Sequence, residues 1–214
     1  SSAASDVYKR QIMHFLTWNN DQFFLNFAMA ANKACADAAH GIEHSTMVTA
    51  MARNGVNIGI RVSGLGDRWF TAPAADVAGA YFPGYSAEDA NKDIGDSAIM
   101  ETGGIGGMAI ATAPAIVRFL GAGKYQDAVN YTNNMYEITL SEQDQYAMPD
   151  MDFRGSPIGI DILKVVETGI SPIINTAIAC KRPGVGMIGA GISKAPLEMF
   201  EEAMVAFGEA HGLQ

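Results

Sequence analysis

The sequence predicts a single mixed α and β domain (α+β), with helices flanking a small sheet. Three observations carry that prediction. Apolar residues recur at helical spacing near both ends of the chain; the middle and last third hold alternating or continuous apolar runs of strand length; and no linker or repeat of about 20 to 50 residues divides them. At 214 residues the chain can bury roughly 70% of the surface that it exposes unfolded. A composition of 49% hydrophobic and 17% charged residues with 23 glycines is too apolar for disorder and reads as globular and loop-rich.

The first eleven residues, Ser1 to Gln11, have neither the basic nor the apolar region of a secretory signal. They read as a read-end or cloning scar, with residues 12–214 as the domain proper and a frame truncated at its N-terminus. From Asp21, Phe24, Phe27, Ala28, Ala31, Cys35, Ala38 and Ala39 share one helical face, with Asn19 or Asn20 as cap and Gly41 just past the end. Ser45 is placed to cap a second helix, Thr46 to Arg53, which Gly55 ends. Val56, Ile58, Ile60 and Val62 then alternate as a strand. Thr71 to Lys92 carries Pro73, Pro83 and Gly84 without a period and reads as loop with short helical turns. Ser97 to Thr102 is a short strand candidate, turned by Gly103, Gly104, Gly106 and Gly107 into a helix from Met108 to Leu120 that Pro114 kinks. Lys124 to Ile138 is helical, and the acidic stretch Ser141 to Gly155 reads as loop. Ile158 to Glu167 is ambiguous, while Ile170 to Ala179 and Val185 to Ile192 read as buried strands. Ser193 is expected to cap a closing helix from Ala195 to His211, with Pro196 in its first turn.

Charge and cysteine usage exclude whole classes of function. Fourteen Lys and Arg against 23 Asp and Glu give a net charge of −9, a field that repels nucleic acid and anionic lipid. The longest uncharged apolar run, Thr102 to Val117, is broken by four glycines and Pro114, so no membrane span is expected. Cys35 and Cys180 lie far apart and form no disulfide framework or structural zinc motif, which fits a reducing cytoplasm.

Four stretches invite chemistry. His40-Gly41-Ile42-Glu43-His44 matches the H-x-x-E-H string of inverted zinc peptidases, which requires both imidazoles on one continuous helix. Gly41 interrupts that helix, so the stretch reads as a polar inter-helix turn, with His44 as a possible substrate contact. Gly184 to Gly189 is formally G-x-G-x-x-G, but no helix begins inside it and only 25 residues follow it, so it reads as a glycine-rich strand. Glu101-Thr102-Gly103-Gly104 opens a glycine-rich turn whose amides suit either an anion or a plain tight connection. The densest signal is Arg53 to Phe70. It holds three of the chain's seven arginines, and no acid falls between Glu43 and Asp67. Arg61, Arg68 and Asp67 are the candidate catalytic residues. Arg53, Asn54, Ser63, Gly64, Gly66, Glu101, Gly103, Gly104 and His44 are the candidate substrate contacts, because an arginine fork beside glycine amides suits carboxylate and phosphate. Trp69 and Phe70 are expected in the core.

The runs HGIEHSTMVTAMARNGVNIGIRVSGLGDRWFTAPA, DIGDSAIMETGGIGGMA and SPIGIDILKVVETGISPIINTAIACKRPGVGMIGAGISKAPLEMFEEA resemble the C-terminal portion of the YlbE-like family, long catalogued as a domain of unknown function. That family includes a subunit of oxamate carbamoyltransferase from anaerobic allantoin degradation. The resemblance implies carbamoyl transfer between oxalurate and phosphate, giving oxamate and carbamoyl phosphate, in a hetero-oligomer with partner subunits. The alternative is a non-catalytic assembly or small-anion-binding subunit. Neither metal nor cofactor is expected, since arginines and backbone amides can supply the charge stabilisation. On this reading His40→Ala costs little.

Overall fold

The helical spacing of Phe24, Phe27, Ala28 and Ala31 folds as expected in a computed structural model that describes residues 2–19, 23–113 and 125–212. An exposed helix α1, Ser2–His14, continues as a π-helical turn, Phe15–Asn19, and is followed by α2, Phe24–Ala38. Residues 2–11, expected to be a scar, lie within α1. Of the two expected caps of α2, Asn20 lies outside the described residues and Asn19 ends the π-turn; Phe23 stands at the N-cap without a side-chain bond.

The segment expected as helix from Thr46 to Arg53 is a strand. Strand β1, Val48–Asn54, forms an antiparallel hairpin with β2, Asn57–Val62. The reason lies in the turn: Asn54 Oδ1 accepts from the amides of Val56 and Asn57, and Gly55 takes φ of 82°, so Asn-Gly reverses the chain where a helix stop was read. Strand β3, Phe70–Pro73, extends this sheet beyond β2, and β5, Ile94–Gly95, pairs on the other side, giving the order β3-β2-β1-β5. Covered on both edges and largely on both faces, β1 lacks the alternation that would have marked it.

Three further expectations change. Within Thr71 to Lys92, read as loop, lie most of β3 and all of β4, Ala78–Tyr81, beside one 3₁₀ turn, Ala87–Asp89, that Ser86 caps. Ser97 to Thr102 is not a strand but leads into a one-turn helix α3, Ile99–Thr102, whose four residues are all buried; burial on every side erases periodicity. Ser141 to Gly155, read as loop, holds most of β6, Thr139–Met148, which pairs with β7, Arg154–Ile160. Most of β6 is exposed, so its polar sequence marks a solvated strand rather than a connection.

A 3₁₀ helix, Gly106–Thr112, stands at the start of the helix expected from Met108; Pro114 and residues to 120 lie outside the described set. Helix α4, Tyr125–Glu137, matches expectation. The ambiguous stretch after Ile158 divides at Asp161, whose carboxylate accepts from the Leu163 amide and starts α5, Ile162–Thr168. Strands β8, Ile173–Ala179, and β9, Met187–Lys194, pair antiparallel, and β4 adds to β9. Gly184 and Gly186 lie in the β8–β9 turn and Gly189 in β9, with no helix starting inside that motif. Ser193 is a β9 residue rather than a cap, and the closing helix α6 spans Glu198–His211.

Met199, Phe200, Ala203, Ala206 and Phe207 form the buried stripe of α6, and with Ile60, Val62 and Phe70 they build the main core. Met108, Met135, Ile160 and Ile173 extend it beneath the other elements. No described helix is long and apolar enough to cross a membrane.

Gly55→Ala tests the hairpin. Its positive φ and a Cβ 3.2 Å from both Asn91 and Ile94 side chains predict a loss of about 1–2 kcal/mol in urea unfolding, with the fold retained. An unchanged midpoint contradicts the turn assignment.

Candidate functional site

Strand geometry separates the arginines that the sequence groups. Arg53 pairs with Ile58 across the hairpin and Arg61 with Ala50, so the two-residue alternation sends them to opposite faces of the sheet. Arg53 shares its face with Ile58, Ile60 and Met51 and is wholly buried. Its Nε lies 3.0 Å from Asp93 Oδ2, Nη1 donates to Gly95 O, and Nη2 donates to Thr176 Oγ1 at 2.7 Å. Both terminal nitrogens also reach Ser97 Oγ. This guanidinium is committed to β5, the turn before α3, and β8.

Arg61 stands on the other face. Its Nη2 donates to Asp67 and, at 2.7 Å, to His40 Nε2. Because that nitrogen accepts, the His40 proton sits on Nδ1 and is donated to Thr49 Oγ1, 2.7 Å away. Trp69, expected in the core, is 45% exposed and lies with its ring 6.0 Å from the Arg61 guanidinium; Phe70 is buried as expected. On α2, Lys33 and Asp37 pair one turn apart, and that contact, with Arg61 and His40 nearby, holds the Asp37 carboxyl below its ordinary value. Lys33, Ala50, Ala52 and Trp69 line a cleft of about 470 Å³ between α2 and this face of the sheet. Asp67 is 94% exposed, so Arg61 has a counter-ion that an incoming anion can displace with little desolvation.

The remaining candidates are dispersed. Arg68 stacks 4.6 Å over Phe70 and borders a second cleft with Glu198, Glu201, Glu202 and Glu209 of α6. Asn54 serves its hairpin turn. Ser63 is buried, donating to Ala39 O and accepting from the Ile42 amide, and the Gly64 amide donates to Ser45 O. Gly66, at φ 60°, has open space around it. His44 lies on the surface with its ring 4.4 Å from that of His211, so His40 and His44 serve different neighbours. The amides of Gly103 and Gly104 donate to Met100 O and Glu101 O. Among the described residues no group of three or more His, Cys, Asp or Glu is arranged to hold a metal ion.

Sequence reasoning missed His40 and Lys33. The available signal was the spacing Lys33, Asp37, His40, which repeats at one helical turn and carries a cation, an anion and an imidazole along one stripe.

Glu101 is buried beneath the glycine turn. Its Oε1 accepts from the Gly107 and Asn175 amides at 3.0 Å each, and Oε2 has no hydrogen-bond partner among the described residues. Burial pushes its carboxyl up to about 7, against the two amides and Arg53, which favour the charge.

The chain is thus a single α+β unit of two small antiparallel sheets and a hairpin, with a part-buried Arg61 held between His40 and an exposed Asp67. Comparison with known proteins agrees with the motif reading. The family described as "Oxamate carbamoyltransferase subunit AllG" matches residues 1–97. Oxamate carbamoyltransferase subunit AllG of Escherichia coli is 52% identical over 203 residues, 95% of this chain and 48% of that protein. The uncharacterized protein YahG of Escherichia coli is 52% identical over 205 residues, 96% of this chain and 43% of its own. A crystal structure of a conserved protein of unknown function from Enterococcus faecalis superposes with a TM-score of 0.86 at 53% identity, covering 88% of this chain and 45% of that one. Over most of its length the chain is therefore similar to the oxamate carbamoyltransferase subunit AllG of Escherichia coli; it spans about half the length of the curated relatives it matches.

Glu101 yields a pH prediction. The folded chain keeps its proton up to about pH 7, whereas an unfolded chain releases it near 4.5, so the folded state binds more protons between those values and stability falls as pH rises through them. Glu101→Gln should flatten that part of the curve in urea unfolding at several pH values. A slope that survives the substitution contradicts the assignment.

Proposed function

We propose that this chain is part of a subunit of an oxamate carbamoyltransferase, acting with partner subunits on small anionic substrates. The observation that carries the reading is the 52% identity, over 95% of the chain, to a protein of that name. The Arg61 cluster supports it: a partly buried guanidinium, fixed by His40 and held by an exposed, displaceable carboxylate, suits the carboxylate of oxalurate or oxamate, or a phosphate.

In the transfer, a phosphate oxygen bonds to the ureido carbonyl carbon of oxalurate. The bond from that carbon to the oxamate nitrogen breaks, and the nitrogen takes a proton that the phosphate gives up. Arg61 stabilises anionic charge on substrate and on the developing oxyanion, Asp67 yields its place to the incoming anion, and His40 keeps the guanidinium in position. Arg53 and Asn54 hold the hairpin that carries Arg61, and Ser63 and Gly64 hold the turn beside His40, whereas Arg68, Glu101, Gly103 and Gly104 lie away from that cluster and take no part in this step. Gly66 and His44 remain candidate contacts from the surface. The reading invokes neither metal nor cofactor, and it places the enzyme in the cytoplasm.

The exposed side chains of Trp18, Phe24 and Phe27 on the π-turn and α2 favour a second reading, in which the chain serves assembly and its arginines hold a partner's acidic surface.

The test is carbamoyl phosphate formation from oxalurate and phosphate by the full-length protein co-expressed with its partner subunits. Arg61→Ala should lower turnover about 10²-fold, as loss of an electrostatic contact to transition-state charge does. His40→Ala, through its bond to Arg61, should cost about tenfold, more than its sequence position suggests. Unchanged turnover in both, with subunit association weakened, supports the assembly reading instead.

A further inference from the structure

Arg61 is held at one end of its guanidinium. Nη2 bonds to His40 and Asp67, whereas Nε is buried without a hydrogen-bond partner among the described residues. Once an incoming anion displaces the exposed Asp67, the His40 imidazole is the polar contact that still orients the cation. His40 Nε2 also lies 3.8 Å from Asp67, so the ring stands beside both the cation and its counter-ion. Whatever fixes His40 therefore decides how Arg61 is presented.

A bulge in β1 supplies the answer. Val48 pairs with Val62 and Ala50 with Arg61, which leaves Thr49 without a partner of its own on β2. In an unbroken ladder, alternation would send Thr49 after Met51 and Arg53 to the core-facing side. The extra residue instead brings its hydroxyl to the face of Arg61, where Oγ1 lies 2.7 Å from His40 Nδ1. Thr49 is 1% exposed, and among the described residues its hydroxyl bonds to no backbone group. With Nε2 accepting from Arg61, Nδ1 carries the ring proton and Thr49 accepts it.

We propose that Thr49 is a positioning residue for Arg61: its hydroxyl selects the His40 tautomer whose bare Nε2 holds the guanidinium. The two ring nitrogens are linked, since the bond made by one sets the protonation of the other. Without an acceptor at position 49 the proton is free to move to Nε2. An Nε2–H would oppose the guanidinium donors and point its hydrogen toward Asp67, tightening the carboxylate that a substrate has to displace. The consequence for turnover rests on the reading of Arg61 as the anion-binding residue; the choice of tautomer does not.

The experiment reads both in the full-length protein. Ring-nitrogen NMR shifts of histidine-labelled protein report which His40 nitrogen is protonated, with the signal assigned by its loss in His40→Gln. The wild type should show the proton on Nδ1, Thr49→Val should move the population toward Nε2, and Thr49→Ser should restore Nδ1. In carbamoyl phosphate formation by the full-length protein co-expressed with its partner subunits, Thr49→Val should lower kcat/KM about fivefold, the loss of one hydrogen bond, and Thr49→Ser should recover most of it. Because Thr49 acts through His40, adding Thr49→Val to His40→Ala should cost nothing further. Should Thr49→Val misfold, Thr49→Ala removes the same hydroxyl without added bulk. A proton that stays on Nδ1 in Thr49→Val, or losses that add in the double variant, overturns the proposal. If the tautomer shifts while neither Thr49→Val nor Arg61→Ala changes turnover, the role of Thr49 in setting the tautomer is upheld and the carbamoyltransferase reading is what fails.

Discussion

A buried arginine–aspartate pair holds the two sheets of this chain in register. Arg53 leaves β1 with its side chain fully enclosed, meets Asp93, and bonds to Gly95, Ser97 and Thr176. Thr176 in turn donates to Asp93 Oδ1, so the anion is shared between the cation and a hydroxyl of β8. Asp93 is also tied through its backbone: its carbonyl accepts from the Gly55 amide at the hairpin tip, and its amide donates to Ala75 O. Two charges so placed lose their hydration, and each depends on the other and on the surrounding donors for compensation. The pair fixes how the β1–β2 hairpin, the turn before α3 and the second sheet meet.

With Arg53 committed inward, strand alternation dictates the rest. Every second residue of β1 and β2 turns to the opposite face, where small side chains, Ala50, Ala52 and Gly59, leave room for α2 and for Trp69. Arg61 therefore lies on the face that Arg53 leaves. It acquires a neutral imidazole behind it and a solvent-exposed carboxylate in front, an arrangement that orients the guanidinium without neutralising it permanently. The glycine turn works in the same economy of space. The Gly103 and Gly104 amides donate to Met100 O and Glu101 O, the Gly107 amide donates to the Glu101 carboxylate, and the missing side chains let Asn32 and Glu101 approach.

Much of the fold was legible in the sequence, and the failures share causes. Helices α4 and α6 show clean periodicity because one face is buried and the other is wet, whereas α2 is periodic although its Phe24 and Phe27 stripe is exposed and only Ala36 is buried. Strands β8 and β9 show as continuous apolar runs. The hairpin strand β1 was read as helix because Ser45 resembled a cap, and the stronger Asn54-Gly55 turn signal was taken only as a stop. Strand β6 was read as loop because its exposure makes it polar, and α3 was read as strand because four buried residues carry no period. At the site, composition found the arginines but not their destinations. Nothing in the spacing of Arg53 and Arg61 reveals Asp93 or His40, which arrive from remote segments; the even separation of eight residues across a two-residue turn, in unbroken register from Arg53–Ile58 to Ala50–Arg61, decides that they face apart.

The most direct test of this account is a double-mutant cycle on the pair, measured as unfolding free energy in urea. Asp93→Leu alone should cost about 3–5 kcal/mol, since it strands a buried guanidinium, and Arg53→Met alone should strand the aspartate at similar cost. The double variant Arg53→Met, Asp93→Leu should recover most of that loss, because the two charges leave together. Losses that simply add in the double variant, or single substitutions that cost less than about 1 kcal/mol, would contradict the claim that this pair organises the chain.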